Sequence, residues 1–226
     1  MHESWLAIET SGDQASAALS LPGGEVIEEI VTGSRRHARE LVPAIERLLA
    51  QAKMRSADLT GIVASEGPGS FTGLRIGATV AKALAHVNGC PLRTTSALLV
   101  IARGAWRESA VAMSAGCPQR ILAVTDALRG EVYAALYGIG ATKVEVLQSP
   151  SLMVPAGLTA WPAPDLRADS PPLASTLLDL LSVENGTTPV QDLETWEPEY
   201  GRRAEAQVKW EAQHGRRLPD SSGTAR

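Results

Sequence analysis

The chain has 226 residues, 44% of them hydrophobic but only 4% aromatic, and a formal net charge of −4. That length builds one large domain or two small lobes, with a core filled by aliphatic side chains and alanine. The negative balance argues against a protein that grips nucleic acid through its overall field, and no apolar run reaches the roughly 18 residues of a membrane span.

The start, Met1-His2-Glu3-Ser4, lacks a basic segment followed by a long apolar one, so a soluble cytoplasmic protein is expected. Trp5–Thr10 and Ala15–Leu21 read as strands joined by the polar turn Ser11-Gly12-Asp13-Gln14. Pro22-Gly23-Gly24 makes the next turn, and Glu25–Val31 a third strand. A helix over Arg36–Ala52 follows, with Leu41, Val42, Ile45, Leu48 and Leu49 as its apolar stripe. A strand at Ile62–Ser65 and a helix at Thr72–Val87 complete a βββαβα unit, from which Leu92–Thr94 and the apolar segment Ser96–Trp106 lead out. Strands at Arg120–Asp126, Glu131–Gly138 and Lys143–Leu147 then repeat the opening pattern, which suggests duplicated lobes. Pro150–Pro172 reads as loop or linker, Pro172–Val183 as a short helix, and the polar tail from about Ala212 as disordered. The expected division is a lobe over 1–108, a smaller lobe over 109–211 and a tail over 212–226.

The most informative stretch is Glu66-Gly67-Pro68-Gly69-Ser70-Phe71-Thr72-Gly73-Leu74-Arg75-Ile76-Gly77. Gly67-Pro68-Gly69 predicts a tight turn, and Ser70 or Thr72 can cap the helix that follows. Such a turn either holds an anion on free N–H groups or serves only as punctuation; the Gly-Lys-Ser/Thr of a Walker A loop is absent. Gly73, Gly77, Ala81 and Ala85 recur every four residues and form one smooth ridge. Leu74, Ile76, Val80, Leu84 and Val87 make the rest of that helix apolar, so part of its cover is expected to come from a second subunit.

Residues for bond-making chemistry are hard to find. His2, His37, His86 and His214 are scattered, with no two at helical metal-ligand spacing. Cys90 and Cys117 lie far apart and read as reduced thiols. No Gly-x-Ser-x-Gly elbow is present. Glu9 and Asp126 each end a strand and either face a cleft or merely cap turns. Ser34-Arg35-Arg36-His37-Ala38-Arg39 puts cations at a helix N-terminus, where they oppose the helix dipole. It is either a solvated helix start or a patch facing an acidic partner or nucleic-acid phosphates, which Arg202, Arg203 and Lys209 would extend.

The Glu66–Gly77 run resembles the signature of the TsaB (YeaZ) family. Leu6-Ala7-Ile8-Glu9-Thr10-Ser11, Val124-Thr125-Asp126-Ala127-Leu128-Arg129-Gly130-Glu131-Val132-Tyr133 and Glu197-Pro198-Glu199-Tyr200-Gly201-Arg202-Arg203 resemble its opening strand, its central strand–turn–strand and its C-terminal stretch. The resemblance implies an α/β fold of the actin/Hsp70/sugar-kinase type, two βββαβα lobes facing across a cleft. There Glu9, Thr10, Ser11 and Asp126 would be a vestigial nucleotide site. It implies a non-catalytic scaffold in the formation of threonylcarbamoyladenosine on tRNA, paired with the transferase TsaD and joined by the ATPase TsaE. A homodimer would compete for the same surface, and tRNA would be met only through the complex. Partner contacts are then expected from Arg36, His37, Leu41, Ile45, Ser70, Phe71, Thr72, Gly73, Arg75, Gly77 and Ala81. No catalytic residue, metal or intrinsic cofactor is implied, and ATP or ADP enters only with the assembled complex. A kinase of the same superfold and a peptidase are the alternatives.

Overall fold

The computed structural model describes residues 3–33, 36–109, 118–201, 210 and 213–215. Strands β1 (Trp5–Glu9), β2 (Gln14–Ser20) and β3 (Val26–Thr32) form an antiparallel meander. Helix α1 (His37–Gln51) leads to β4 (Gly61–Gly67), which pairs parallel with β1. Helix α2 (Phe71–Asn88) leads to β5 (Leu92–Ser96), parallel to β4. The expected βββαβα unit is present, each element within a few residues of its predicted bounds.

Alternation along the strands decides what each face meets. Leu6, Ile8, Leu19 and Ile62 point toward α1 and α2, where Leu41, Ile45, Leu48 and Leu49 are buried. Each such side chain contributes about 1.5–3 kcal/mol by leaving water. Ala7, Ala18 and Val63 point the other way, into a core shared by helices α3 (Ala97–Glu108) and α4 (Ala174–Leu180). Ser70 and Ser96 cap α2 and α3, their hydroxyls accepting from the N–H groups of Gly73 and Leu98.

Beyond α3 lies a second sheet. Strands β6 (Gln119–Asp126), β7 (Val132–Ile139) and β8 (Val144–Met153) are antiparallel, and the short β9 (Leu166–Ala168) runs parallel to β6. Ile121, Ala123, Ala135 and Tyr137 face the same core as α3, while Leu122, Val124, Ala134 and Leu136 face Leu158 and Trp161. The layers therefore run α1/α2, first sheet, α3 with α4, second sheet.

Two differences from the sequence reading stand out. Pro150–Pro172 is not a linker: it holds the end of β8, a 3-10 turn at Pro155–Ala160, and β9. Pro150 is tolerated because β8 is an edge strand and its pairing with β7 is irregular between Ala134 and Leu136. The second difference concerns the boundary expected between residues 108 and 109. Helix α4 (Ala174–Leu180) packs on β1 and β2, and β10 (Thr188–Pro189) pairs with β5. The first sheet is completed to the order β10-β5-β4-β1-β2-β3 by residues from late in the chain. Ser16 Oγ accepts from Ala174 N, and the Glu28 carboxylate accepts from the N–H and hydroxyl of Ser175, which pins α4 on the meander. Among the described residues no helix is long and apolar enough to cross a membrane. The predicted tail lies mostly outside the described residues.

Candidate docking face and a filled cleft

The turn after β4 folds back onto the end of β1. Ser70 N donates to Ser11 O at 2.7 Å. A Cβ on Gly69 would strike Ser11 O, and one on Gly73 would strike Thr10 O. Gly67 has φ +109°, a conformation that glycine adopts without strain, and a Cβ there would collide with Glu199 O. These glycines let the turn and the first turn of α2 fill the space beyond β1. Glu9, Thr10 and Ser11 are all buried as a result. The space beyond Glu9–Ser11 is thus occupied by the chain itself.

Among the described residues, the buried Glu9 carboxyl has no salt-bridge partner. Its Oε1 accepts from Ser11 N at 2.7 Å. Ser65 neighbours the carboxyl, yet among the described residues neither Oε2 nor Ser65 Oγ completes a hydrogen bond. Burial pushes the Glu9 carboxyl above its ordinary value, and the bonds to Ser11 only partly offset that. Asp126 is exposed and caps its own turn: Oδ1 accepts from Leu128 N at 2.9 Å. Among the described residues, no group of three or more His, Cys, Asp or Glu could hold a metal ion.

The ridge of small residues faces inward. Gly73, Gly77, Ala81 and Ala85 are all buried, and a Cβ on Gly77 would collide with Thr10 Oγ1. The close approach that Gly73 and Gly77 permit within the chain is to Thr10 at the end of β1, whereas the sequence reading expected Gly73, Gly77 and Ala81 at an intersubunit contact. His37, Leu41 and Ile45 are also buried; His37 Nε2 lies 3.2 Å from Asp13 O. Ser70 is half-buried at its cap. Only Arg36, Phe71, Thr72 and Arg75 of the expected partner residues are exposed. Arg35, Arg202, Arg203 and Lys209 lie outside the described residues.

The outward face of α2 carries a second stripe with the same spacing, Arg75, Thr79, Ala83 and Val87, the last 78% exposed. Ile76, Val80 and Leu84 flank it half-buried, and α1 adds Arg39, Val42 and Glu46. Sequence reading missed this stripe, although its four-residue period was there to be found. The segment from Val190 to Gly201 runs along the flank of α2. Val190, Leu193 and Trp196 pack against the core, and Lys82 Nζ donates to Trp196 O at 2.8 Å and Glu194 O at 3.3 Å. Glu199 N then donates to Glu66 O at 2.6 Å.

A cavity of about 80 Å³ opens where this strap meets the second sheet, lined by Pro68, Tyr133, Ser151, Leu152 and Glu199 among others. That is well below the ~300–1,000 Å³ of small-molecule sites. Glu66 beside it accepts from Thr94 Oγ1 at 2.7 Å; burial, then the charge of Glu199, push its carboxyl up. Burial also pushes the Tyr137 phenol up to about 12.

Residues 23–180 match the family model described as TsaD, tRNA N6-adenosine threonylcarbamoyltransferase. The tRNA threonylcarbamoyladenosine biosynthesis protein TsaB of Escherichia coli (strain K12) is 35% identical over 132 residues, covering 58% of this chain and 54% of that protein. The chain belongs to the TsaB/YeaZ family. An uncharacterized protein of Mycobacterium tuberculosis (strain ATCC 25618 / H37Rv) is 32% identical over 181 residues, 79% of this chain and 77% of its own. The crystal structure of an uncharacterized Pseudomonas aeruginosa protein with similarity to peptidase YEAZ superposes with a TM-score of 0.74 at 27% identity, covering 88% of this chain and all of that one. The chain spans about half the length of the curated TsaB relatives that it matches first. The α/β architecture with two sheets is that of the TsaB/YeaZ fold, of the actin/Hsp70/sugar-kinase type.

Proposed function

We propose that the chain is a non-catalytic docking subunit in the formation of N6-threonylcarbamoyladenosine on tRNA, acting in the cytoplasm. Its outer α1/α2 face pairs with the transferase subunit TsaD, the ATPase TsaE joins that pair, and the same face supports a competing homodimer. The observation that carries this reading is the exposed stripe Thr79-Ala83-Val87 beside Val42 on a helix whose other side is fully committed to the core. A stripe of small and apolar side chains suits helix-on-helix packing. The filled turn at Glu9–Ser11 favours a scaffold over a kinase of the same superfold, which would need that turn for phosphates.

The test is reconstitution. Transferase and ATPase are assayed for tRNA modification with and without this chain, and with an Ala83→Arg variant that keeps the ridge intact. Modification is expected to need the chain and to fall at least tenfold with the variant, in step with lost co-purification. Modification by the chain alone, or full activity with a variant that no longer binds, would overturn the scaffold role.

A further inference from the structure

The N-terminal end of α2 carries a cluster that helix packing does not explain. Phe71 is 38% exposed, and its ring lies 4.5 Å from that of Tyr200, tilted by 42°. The Arg75 guanidinium lies 5.1 Å from the Phe71 ring centre, one turn along the helix. The Tyr200 hydroxyl donates to Glu197 Oε2 at 2.9 Å and faces Arg75 on its other side. The strap leading into Tyr200 is itself fixed, by Lys82 at Trp196 O and by the Glu199–Glu66 bond.

This arrangement restrains a long side chain while leaving its charge outward. Among the described residues no carboxylate lies within salt-bridge distance of Arg75. An arginine normally loses much rotamer freedom when it binds; one already stacked on an aromatic shelf loses less. We infer that Tyr200 is a positioning residue, which with Phe71 aims the Arg75 guanidinium at a carboxylate on a partner protein's helix. The inference rests on the docking reading above. A protein carboxylate suits the surroundings better than an RNA phosphate, because Ile76, Val80, Ala83 and Val87 continue the face as apolar surface. The chain's net charge of −4 also opposes a polyanion.

Binding to immobilised transferase subunit at two salt concentrations tests this, with Arg75→Ala, Arg75→Lys, Tyr200→Phe, Tyr200→Ala and the Arg75→Ala/Tyr200→Ala pair, each checked for an unchanged melting transition. Arg75→Ala is expected to weaken binding about 10–100-fold, the worth of a charge-assisted hydrogen bond, and to flatten its salt dependence. Tyr200→Phe keeps the shelf and loses only the hydroxyl relay, so its loss is smaller than that of Tyr200→Ala. Arg75→Lys falls between Arg75→Ala and the parental chain. The double variant is expected to bind no worse than Arg75→Ala, because Tyr200 acts through Arg75. Additive losses, or parental binding by Arg75→Ala, overturn the inference while leaving docking intact. Lost tRNA binding with unchanged transferase binding overturns it in favour of a phosphate. Failure of the parental chain to bind the transferase removes the docking reading and this inference with it.

Discussion

Glu9 is where a single residue departs most from what its neighbours can satisfy. Its folded-state pKa is raised, so the folded chain holds that proton more tightly than the unfolded chain does. The stability this gives is full below the ordinary value of 4.5 and is lost as pH rises through the raised folded value. Glu9→Gln keeps an acceptor for Ser11 N and offers an N–H toward Ser65 Oγ, with no charge to bury. The variant is expected to gain about 1–2 kcal/mol near neutral pH and to lose that part of the pH slope, as read by thermal unfolding across the acid-to-neutral range. A variant no more stable at neutral pH, with the parental slope, would mean that Glu9 is solvated or paired in solution. An acid at a strand end was legible in the sequence. Its burial was not, because the cover comes from the Gly67–Ser70 turn, distant along the chain and brought close only by the β1–β4 pairing.

Among the elements, α2 illustrates how periodicity fixes a helix without fixing its rotation. Stripes of small residues run down two sides, Gly73–Gly77–Ala81–Ala85 and Thr79–Ala83, and composition alone does not say which turns inward. The choice is made by Thr10, whose carbonyl and hydroxyl leave room only for hydrogen at Gly73 and Gly77. Gly77→Leu is therefore expected to destabilise the isolated chain by at least about 1–3 kcal/mol through overpacking, measured by urea unfolding. Parental stability combined with lost partner binding would return the ridge to the surface. The meander, both long helices and the second set of three strands were legible because alternation and helical spacing are local signals. The end of β8 and β9 were not: Pro150 reads as punctuation, and only pairing with β6 and β7 makes strands of those residues.

At the level of the whole molecule, duplication was legible as a repeated three-strand pattern, whereas the way the halves interlock was not. Arg103 shows how closely they are joined. From α3 it donates to Asp179 of α4 at 2.6 Å and to the carbonyls of Gly140 and Ala141 at 2.7 and 3.2 Å, over the ring of Trp106. It is 4% exposed. Arg103→Ala strands two carbonyls and a carboxylate, and is expected to cost about 3 kcal/mol, the low end for a buried pair because the Asp179 side chain is 27% exposed. Arg103→Lys should recover part of it. A loss below about 1 kcal/mol in chemical unfolding would mean that water replaces the guanidinium freely.

The return of α4 and β10 to the first sheet has a consequence for how the polypeptide is born. While a ribosome is still making the second sheet, the meander already outside leaves Ala7 and Ala18 bare on the side that α4 will cover, and β5 has an open edge. An open edge beside bare apolar surface is a template for association with other nascent chains. The first half can therefore collapse early but is sealed only after Pro189 has emerged, so a message truncated after α3 yields a sticky fragment and not a working lobe.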